Sequence, residues 1–544
     1  MPQPASRSPS RRRSTNLPDF TQARQGLFST FFKPVRSTAA SRTRWDYTRL
    51  LQTCPVGSGK SSTNRKIFAE TAIFLHSQHS CIRMSGRVGC AKEFQDMEQD
   101  MSRGNPTRLI FFFMLPILGG NLFQQLYSMV DTFVVGRFVG VQALAAVGAT
   151  GAMTFLIIGF VIGLTAGFSV IISQKFGAKD PESMRKAIAM SVLCAFFLSV
   201  IVSALATLSS KSLLRLLNTP QDILEDANAY LVIIYLGITA TIYYNLLAAI
   251  LRALGDSRSP LLFLLIASAL NIVGDLVLVI QVGMGVRGVA LATVVSQTIS
   301  ALLCLLYIYK RFPSLHLKRQ DWKVDWPMIA RLLRIGLPSA LQFSVCAIGV
   351  MIVQAVINQS GSNTVAAYSV GTKIEQLVTQ PLITLGLAMA TFSAQNLGSG
   401  QLDRVRQGIR SATLLSILLS MAATLIVFLF GEQLARLFIA AEETLVISQT
   451  VQYLHIVSYF FIALGMIFVF RNTSQGLGSG LIPMLSSIIE LIFRALAAIT
   501  LPALLGYVGI CLSSPLAWVA AALLLVFAYR IQMKNLTRML KQEQ

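Results

Sequence analysis

Leu109 to Gly136 reads LIFFFMLPILGGNLFQQLYSMVDTFVVG and carries a single charge, Asp131, between Arg108 and Arg137. As a helix this run reaches about 40 Å, enough to cross a bilayer. A carboxylate at that depth costs at least about 2.5 kcal/mol in insertion. Such a residue faces a bundle interior or a wet cavity and serves a proton or ion path. Asp131 is therefore the first candidate for a functional group.

Further runs of the same kind follow. The chain has 544 residues, 54% hydrophobic and 13% charged, with mean hydropathy +0.62; a soluble domain carries about 25% charged residues. This composition predicts an all-α polytopic membrane protein. Charge-poor runs place spans at 109–136, 142–174, 187–209, 228–251, 259–281 and 287–309. After a gap they resume at 335–358, 363–394, 408–430, 445–470, 479–500 and 505–529. Each approaches or exceeds the roughly 20 residues a span needs. The long second and eighth spans should tilt, bend or project. Pro116, Pro338 and Pro381 should kink any helix that contains them.

The halves repeat at an offset of 221 to 223 residues. Leu115-Pro116 recurs as Leu337-Pro338, and Ala145-Ala146-Val147 as Ala366-Ala367-Tyr368. Gln174-Lys175-Phe176-Gly177 recurs as Gln395-Asn396-Leu397-Gly398, and Leu254-Gly255-Asp256 as Leu477-Gly478-Ser479. Matched polar and proline positions argue against a chance likeness of apolar runs. Six spans per half is even, so both halves enter from one side as parallel repeats, an arrangement suited to alternating access. The expected layout is an amino lobe at 97–310, a cytoplasmic connection at 311–334, a carboxy lobe at 335–530 and a tail at 531–544.

Residues 1–96 hold 16 Lys/Arg against 5 Asp/Glu, half of the +22 net charge. They show no sustained periodicity, and a disordered basic extension is expected. A lipid-associated tail, a transit peptide and a start at Met97 or Met101 all fit, and the last is preferred. Val56-Gly57-Ser58-Gly59-Lys60-Ser61 imitates a phosphate loop, but Cys54 stands where the pattern needs Gly. Elsewhere Lys and Arg concentrate in alternate loops, Arg252, Arg258 and Arg471 among them. By the positive-inside rule both termini are cytoplasmic, and the basic charge needs no nucleic acid to explain it. Cys194, Cys304, Cys346 and Cys511 lie in apolar runs without CxxC spacing, and the four histidines are scattered. No metal, redox or hydrolytic constellation emerges, so neither an enzyme nor a cofactor is expected.

Few acids fall within the spans: Asp131, Asp275, Glu375 and Glu490. Asn271 and Asp275 share a helix face at i and i+4, and Tyr127 lies one turn before Asp131. Two close carboxylates with an amide and the Thr293 hydroxyl can share a proton or ligate Na⁺. Alternatively, each Asp merely bonds a neighbouring helix. Glu490 and Arg494, at i and i+4, suit a structural ion pair. Glu375 either attracts a cationic substrate or pairs with Lys373 or another helix. Gln342, Gln376 and Gln380, with Tyr127 and Glu375, complete the candidates for a substrate cleft.

Tyr127-Ser128-Met129-Val130-Asp131-Thr132, the Asn271/Asp275 pair, Leu251-Arg252-Ala253-Leu254-Gly255-Asp256 and Lys373-Ile374-Glu375-Gln376-Leu377 with Gln380-Pro381 resemble the multidrug and toxic compound extrusion (MATE) transporters, prokaryotic type, of the multidrug/oligosaccharidyl-lipid/polysaccharide flippase superfamily. The resemblance runs from about Leu109 to Arg530. It implies twelve transmembrane helices in two pseudo-symmetric six-helix lobes, in a bacterial plasma membrane. It implies export of organic, often cationic compounds or drugs against H⁺ or Na⁺, by a monomer in the lipid bilayer. It also implies an ion site at Asp131, Asn271, Asp275 and Thr293, which match the family's amino-lobe residues in type, helix and spacing. The family's second pattern, a Glu in the seventh span, is absent here, which places ion coupling in the amino lobe. A flippase for a lipid-linked saccharide is the alternative.

Overall fold

A computed structural model describes residues 100–543, apart from 218 and 441; all fall within one unit, Val88–Gln544. The extension expected at 1–96 lies outside the described residues. The helices are α1 (Pro106–Val134), α2 (Val141–Ala149), α3 (Gly151–Gly177), α4 (Pro181–Leu216), α5 (Gln221–Leu236), α6 (Ile238–Ala253), α7 (Arg258–Asp275) and α8 (Val286–Arg311). The second half holds α9 (Trp326–Ile357), α10 (Ser362–Gly398), α11 (Leu402–Arg436), α12 (Thr444–Ser458), α13 (Phe461–Gly476), α14 (Leu481–Leu505) and α15 (Tyr507–Glu543). Ten of the described helices are long and apolar enough to span. Two bent pairs, α5–α6 at 48° and α12–α13 at 53°, complete twelve.

Helix starts follow local capping chemistry. Asn105 before Pro106 accepts from the Thr107 and Arg108 amides, and Asp180 before Pro181 accepts from Ser183. α4, α9, α11 and α15 extend a turn or more beyond their apolar runs, because polar residues outside the hydrocarbon continue them. α15 runs through the expected tail to Glu543. Pro116, Pro338 and Pro381 lie inside helices assigned without a break.

The breaks in the fourth and tenth spans were not legible as periodicity. They fall at Gly237 and at Tyr459-Phe460, one repeat offset apart. At Gly237 a side chain would collide with Val294. The repeat extends to backbone detail: Gly285 has φ 57°, ψ −137° and Gly506 has φ 56°, ψ −132°. Only glycine adopts that conformation readily.

The halves meet along α1–α10, α3–α9 and α3–α10. At the basic end Gln174 Nε2 donates to the Gly476 carbonyl at 3.0 Å, and Gln395 Nε2 donates to the Ala253 carbonyl at 2.9 Å. These are counterparts in the repeat. Gly177 abuts the Gln395 carbonyl and Gly398 the Gln174 carbonyl, so α3 and α10 cross backbone to backbone. Contact continues to mid-helix, where Asn121 Nδ2 donates to Gln380 Oε1 at 3.2 Å and Gly159 faces the Phe343 Cβ.

The connection between the halves docks on α4. Arg185 pairs with the buried Asp321 at 3.3 Å, and Lys186 with Asp325 at 2.7 Å. Asp325 also caps α9 by accepting from the Met328 amide at 3.0 Å. The bonded ammonium, then that amide, holds the Asp325 carboxyl below the usual carboxylate range. The pair is solvent-accessible, so its contribution to stability is small. That contribution is present above the ordinary carboxylate pKa and is lost as pH falls through the lowered folded value. Hydrogen exchange over 319–328, corrected for intrinsic rates, is expected to accelerate below about pH 4. Asp325→Asn, which still caps, should exchange faster at neutral pH. Unchanged protection in both cases would contradict the docking role.

Candidate functional site

α1 carries Gln124, Tyr127, Ser128 and Asp131 at helical spacing, so one face presents all four. They line a cavity of about 340 Å³ whose walls come almost wholly from the first half, Leu387 being the exception. Thr293 and Gln297 of α8 and Tyr230 of α5 complete its polar end. Asn271 and Asp275 of α7 lie behind this lining, 2% and 0% exposed. The structure thus brings Asp131, Asn271, Asp275, Thr293 and Tyr127 together.

Asn271 Nδ2 donates to Thr293 Oγ1 at 3.4 Å, and Thr293 Oγ1 donates to the Val289 carbonyl at 3.0 Å. The Asp131 and Asp275 carboxyl groups lie within hydrogen-bonding reach of each other. Two carboxylates are both acceptors, so this contact becomes a bond only with a shared proton or a bridging cation. Asp131 Oδ1, both Asp275 oxygens, Asn271 Oδ1 and Gln297 Oε1 are buried and receive no donor among the described residues. Buried acceptors of this kind are costly unless satisfied. The donor set is all oxygen, which suits H⁺ or a hard cation such as Na⁺.

Asp275 directly precedes the π-helical turn Leu276–Gln281, and Asp131 stands one α-helical turn before the π-helical turn Val135–Val139. The Gly140 amide donates to Val135 O at 3.1 Å and the Val282 amide to Val277 O at 3.0 Å. π-helical turns are rare and concentrate at functional sites. The two turns pack together with Tyr230 against Val135, Val279 and Val289.

Tyr230 and Arg252 are among the lining residues that the sequence does not single out for the site. Tyr230 is a hydroxyl in an apolar helix, as Tyr127 is, but its approach to α1 and α7 depends on helix packing. Arg252 was expected in an inner loop. It instead closes the last turn of α6 and is the single Lys or Arg among the cavity's described lining residues.

The remaining candidates lie outside this cavity. Gln342 is buried on α9 and Gln376 is exposed on α10. Gln380 holds Asn121, which does line the cavity. Glu375 accepts from the Tyr453 hydroxyl on α12, so its partner is another helix rather than Lys373. Tyr453→Phe removes that donor and should cost about 1–3 kcal/mol, read as lowered thermal stability of the purified protein. An unchanged unfolding temperature would refute the pairing.

Glu490 accepts from Arg494, as its spacing suggested, and from Arg471 at 2.8 Å, all three nearly fully buried. Arg471 thus belongs to a buried α13 ion cluster and not to the loop expected for it. The second half resembles the first in backbone and differs in chemistry. Where α1 has Asp131, α9 has the buried Val353.

The MatE family model matches twice, at residues 116–277 and 338–500, once on each half. A probable multidrug resistance protein of Bacillus subtilis, YoeA, is 29% identical over 448 residues, covering 79% of this chain and 95% of that protein. The probable multidrug resistance protein NorM of Thermotoga maritima is 28% identical, covering 69% and 81%. An FAD transporter of Shewanella oneidensis is 26% identical, covering 75% and 91%. In fold, the chain is similar to an outward-facing multidrug resistance MATE family transporter of the MOP superfamily. Their TM-score is 0.76 at 24% identity, over 80% of this chain and 98% of that one. Matched on both halves over more than half its length, the chain belongs to the MatE family and is a multi-pass membrane transporter, not an enzyme.

Proposed function

We propose that this transporter exports organic, often cationic compounds from a bacterial cell by antiport with H⁺ or Na⁺, through alternating access of its two lobes. The lobes are read as 97–310 and 335–530, joined by 311–334. The observation that carries the reading is the Asp131–Asp275 contact, with its buried oxygens that no described donor satisfies. The names of the relatives, multidrug resistance and multidrug export proteins, support the cargo class. The concentration of Lys and Arg at one end supports cytoplasmic termini.

In the cycle, an inward-open cleft takes up the compound. The basic end then seals by the α3–α10 crossing, and the cleft opens outside. An external ion joins Asp131 and Asp275, neutralises the pair and lowers affinity for a cationic cargo. Because Asp275 abuts a π-helical turn and Asp131 lies one turn before another, the change in charge acts near helix segments whose hydrogen-bond register is already irregular. The return inward releases the ion.

Proteoliposomes given a pH gradient and a Na⁺ gradient separately test this reading. Uptake of a fluorescent organic cation should follow one of the two. Uptake that follows neither would overturn antiport. Arg252 in the cavity is the observation favouring a phosphate-bearing cargo, as in the flippase alternative. Rescue of a flippase-deficient bacterium, set beside survival of a drug-sensitive one, separates the two cargo classes.

A further inference from the structure

We propose that the basic groove between the ends of α11 and α15 binds the phosphate headgroup of an anionic phospholipid. Both helices pack on α13, and Arg406 of α11 donates to Thr537 Oγ1 of α15 at 2.8 Å. Beside this link lies a cavity of about 680 Å³ whose lining includes Arg406, Arg410, Arg530, Lys534 and Arg538. Arg406 pairs with Asp403 at 2.6 Å. Among the described residues no carboxylate pairs with the other four. Positions 406 and 410, and positions 530, 534 and 538, are separated by four residues, so each row occupies one helix face. Like charges gathered in one cavity repel, and a bound anion relieves that repulsion.

The same two faces change character with depth, and this selects a lipid over a soluble anion. Beyond Arg410 on α11 come Leu414 and Leu418, 59% and 54% exposed. Beyond Arg530 on α15 come Phe527 and Leu523, 66% and 68% exposed. Two parallel stripes, basic at the end and apolar toward the bundle centre, match a phosphate headgroup with acyl chains running inward. Ile409, Tyr529 and Met533 supply a partly apolar floor. The leaflet rests on the orientation proposed above, which makes this end cytoplasmic and faces it to the anionic leaflet.

The full chain, purified and delipidated in detergent, is titrated with phosphatidylglycerol, phosphatidylcholine or inorganic phosphate. Retained lipid is read by native mass spectrometry, and thermal unfolding is followed in parallel. Phosphatidylglycerol should be retained preferentially and raise the unfolding temperature, more strongly at low salt. The variant R410Q/R530Q/K534Q should lose about five-fold in affinity for each cation removed. Equal retention of phosphatidylcholine, equal affinity in the variant, or the same stabilisation by inorganic phosphate would each overturn the proposal. None of these residues touches the Asp131 site, so the variant should keep gradient-driven export. Lost lipid with intact export supports the lipid site, and absent export in the wild-type chain counts against the transport reading alone.

Discussion

Asp131→Asn is expected to abolish ion-coupled export while leaving the protein folded in the membrane. Asparagine keeps the size and polarity of the side chain but cannot take up a proton or supply a charge to a cation. The substitution also places an amide donor within reach of Asp275, whose oxygens lack a donor among the described residues, so folding should not suffer. Coupling between two ligands through a protein is worth about 1–3 kcal/mol, or about 5- to 150-fold in affinity. Loss of that linkage should bring gradient-driven transport to background. Asp275→Asn should behave alike, because the contact needs both acids. Binding of the organic cation without a gradient should persist in a weakened form. Full, ion-dependent export by Asp131→Asn, measured in proteoliposomes, would sink the mechanism.

Gly177→Ala and Gly398→Ala are expected to disrupt the sealed end. A methyl group on either glycine would overlap a main-chain carbonyl oxygen of the other lobe, Gln395 or Gln174. Backbone has no rotamer by which to yield, so the lobes must separate there. Overpacking typically costs about 1–3 kcal/mol, which lowers the population of the sealed state by about 5- to 150-fold. Spin labels at Lys179 and Ser399 should report longer distances in either variant, and export should fall. Gly148→Ala provides the control, because nothing lies within 4 Å of a side-chain carbon there. Distances and export unchanged in both crossing variants would show that the crossing does not hold the lobes together.

Neither prediction depends on stability alone, which separates them from the Tyr453 and Asp325 variants. Those should alter unfolding temperature or local exchange while leaving the proposed ion site intact. The second half can be perturbed in its ion cluster or at Glu375 without touching Asp131. This difference follows from like backbones carrying unlike polar residues.

The number of spans, the internal repeat and the acids worth attention are all legible in the amino-acid sequence. Hydrophobic run length, charge placement and the 221- to 223-residue offset are properties of the chain, and the membrane imposes them locally on each helix. The sequence also identified Asn271 and Asp275 as one face, because i and i+4 are neighbours on any helix. The tertiary structure alone decided that Asp131 meets Asp275, 144 positions away, since that contact depends on how α1 packs on α7. It likewise brought Tyr230 and Arg252 to the cavity and joined Arg471 to Glu490. It also matched Gly177 to the Gln395 carbonyl. Periodicity fixes which side of a helix a residue occupies; only packing fixes what that side faces.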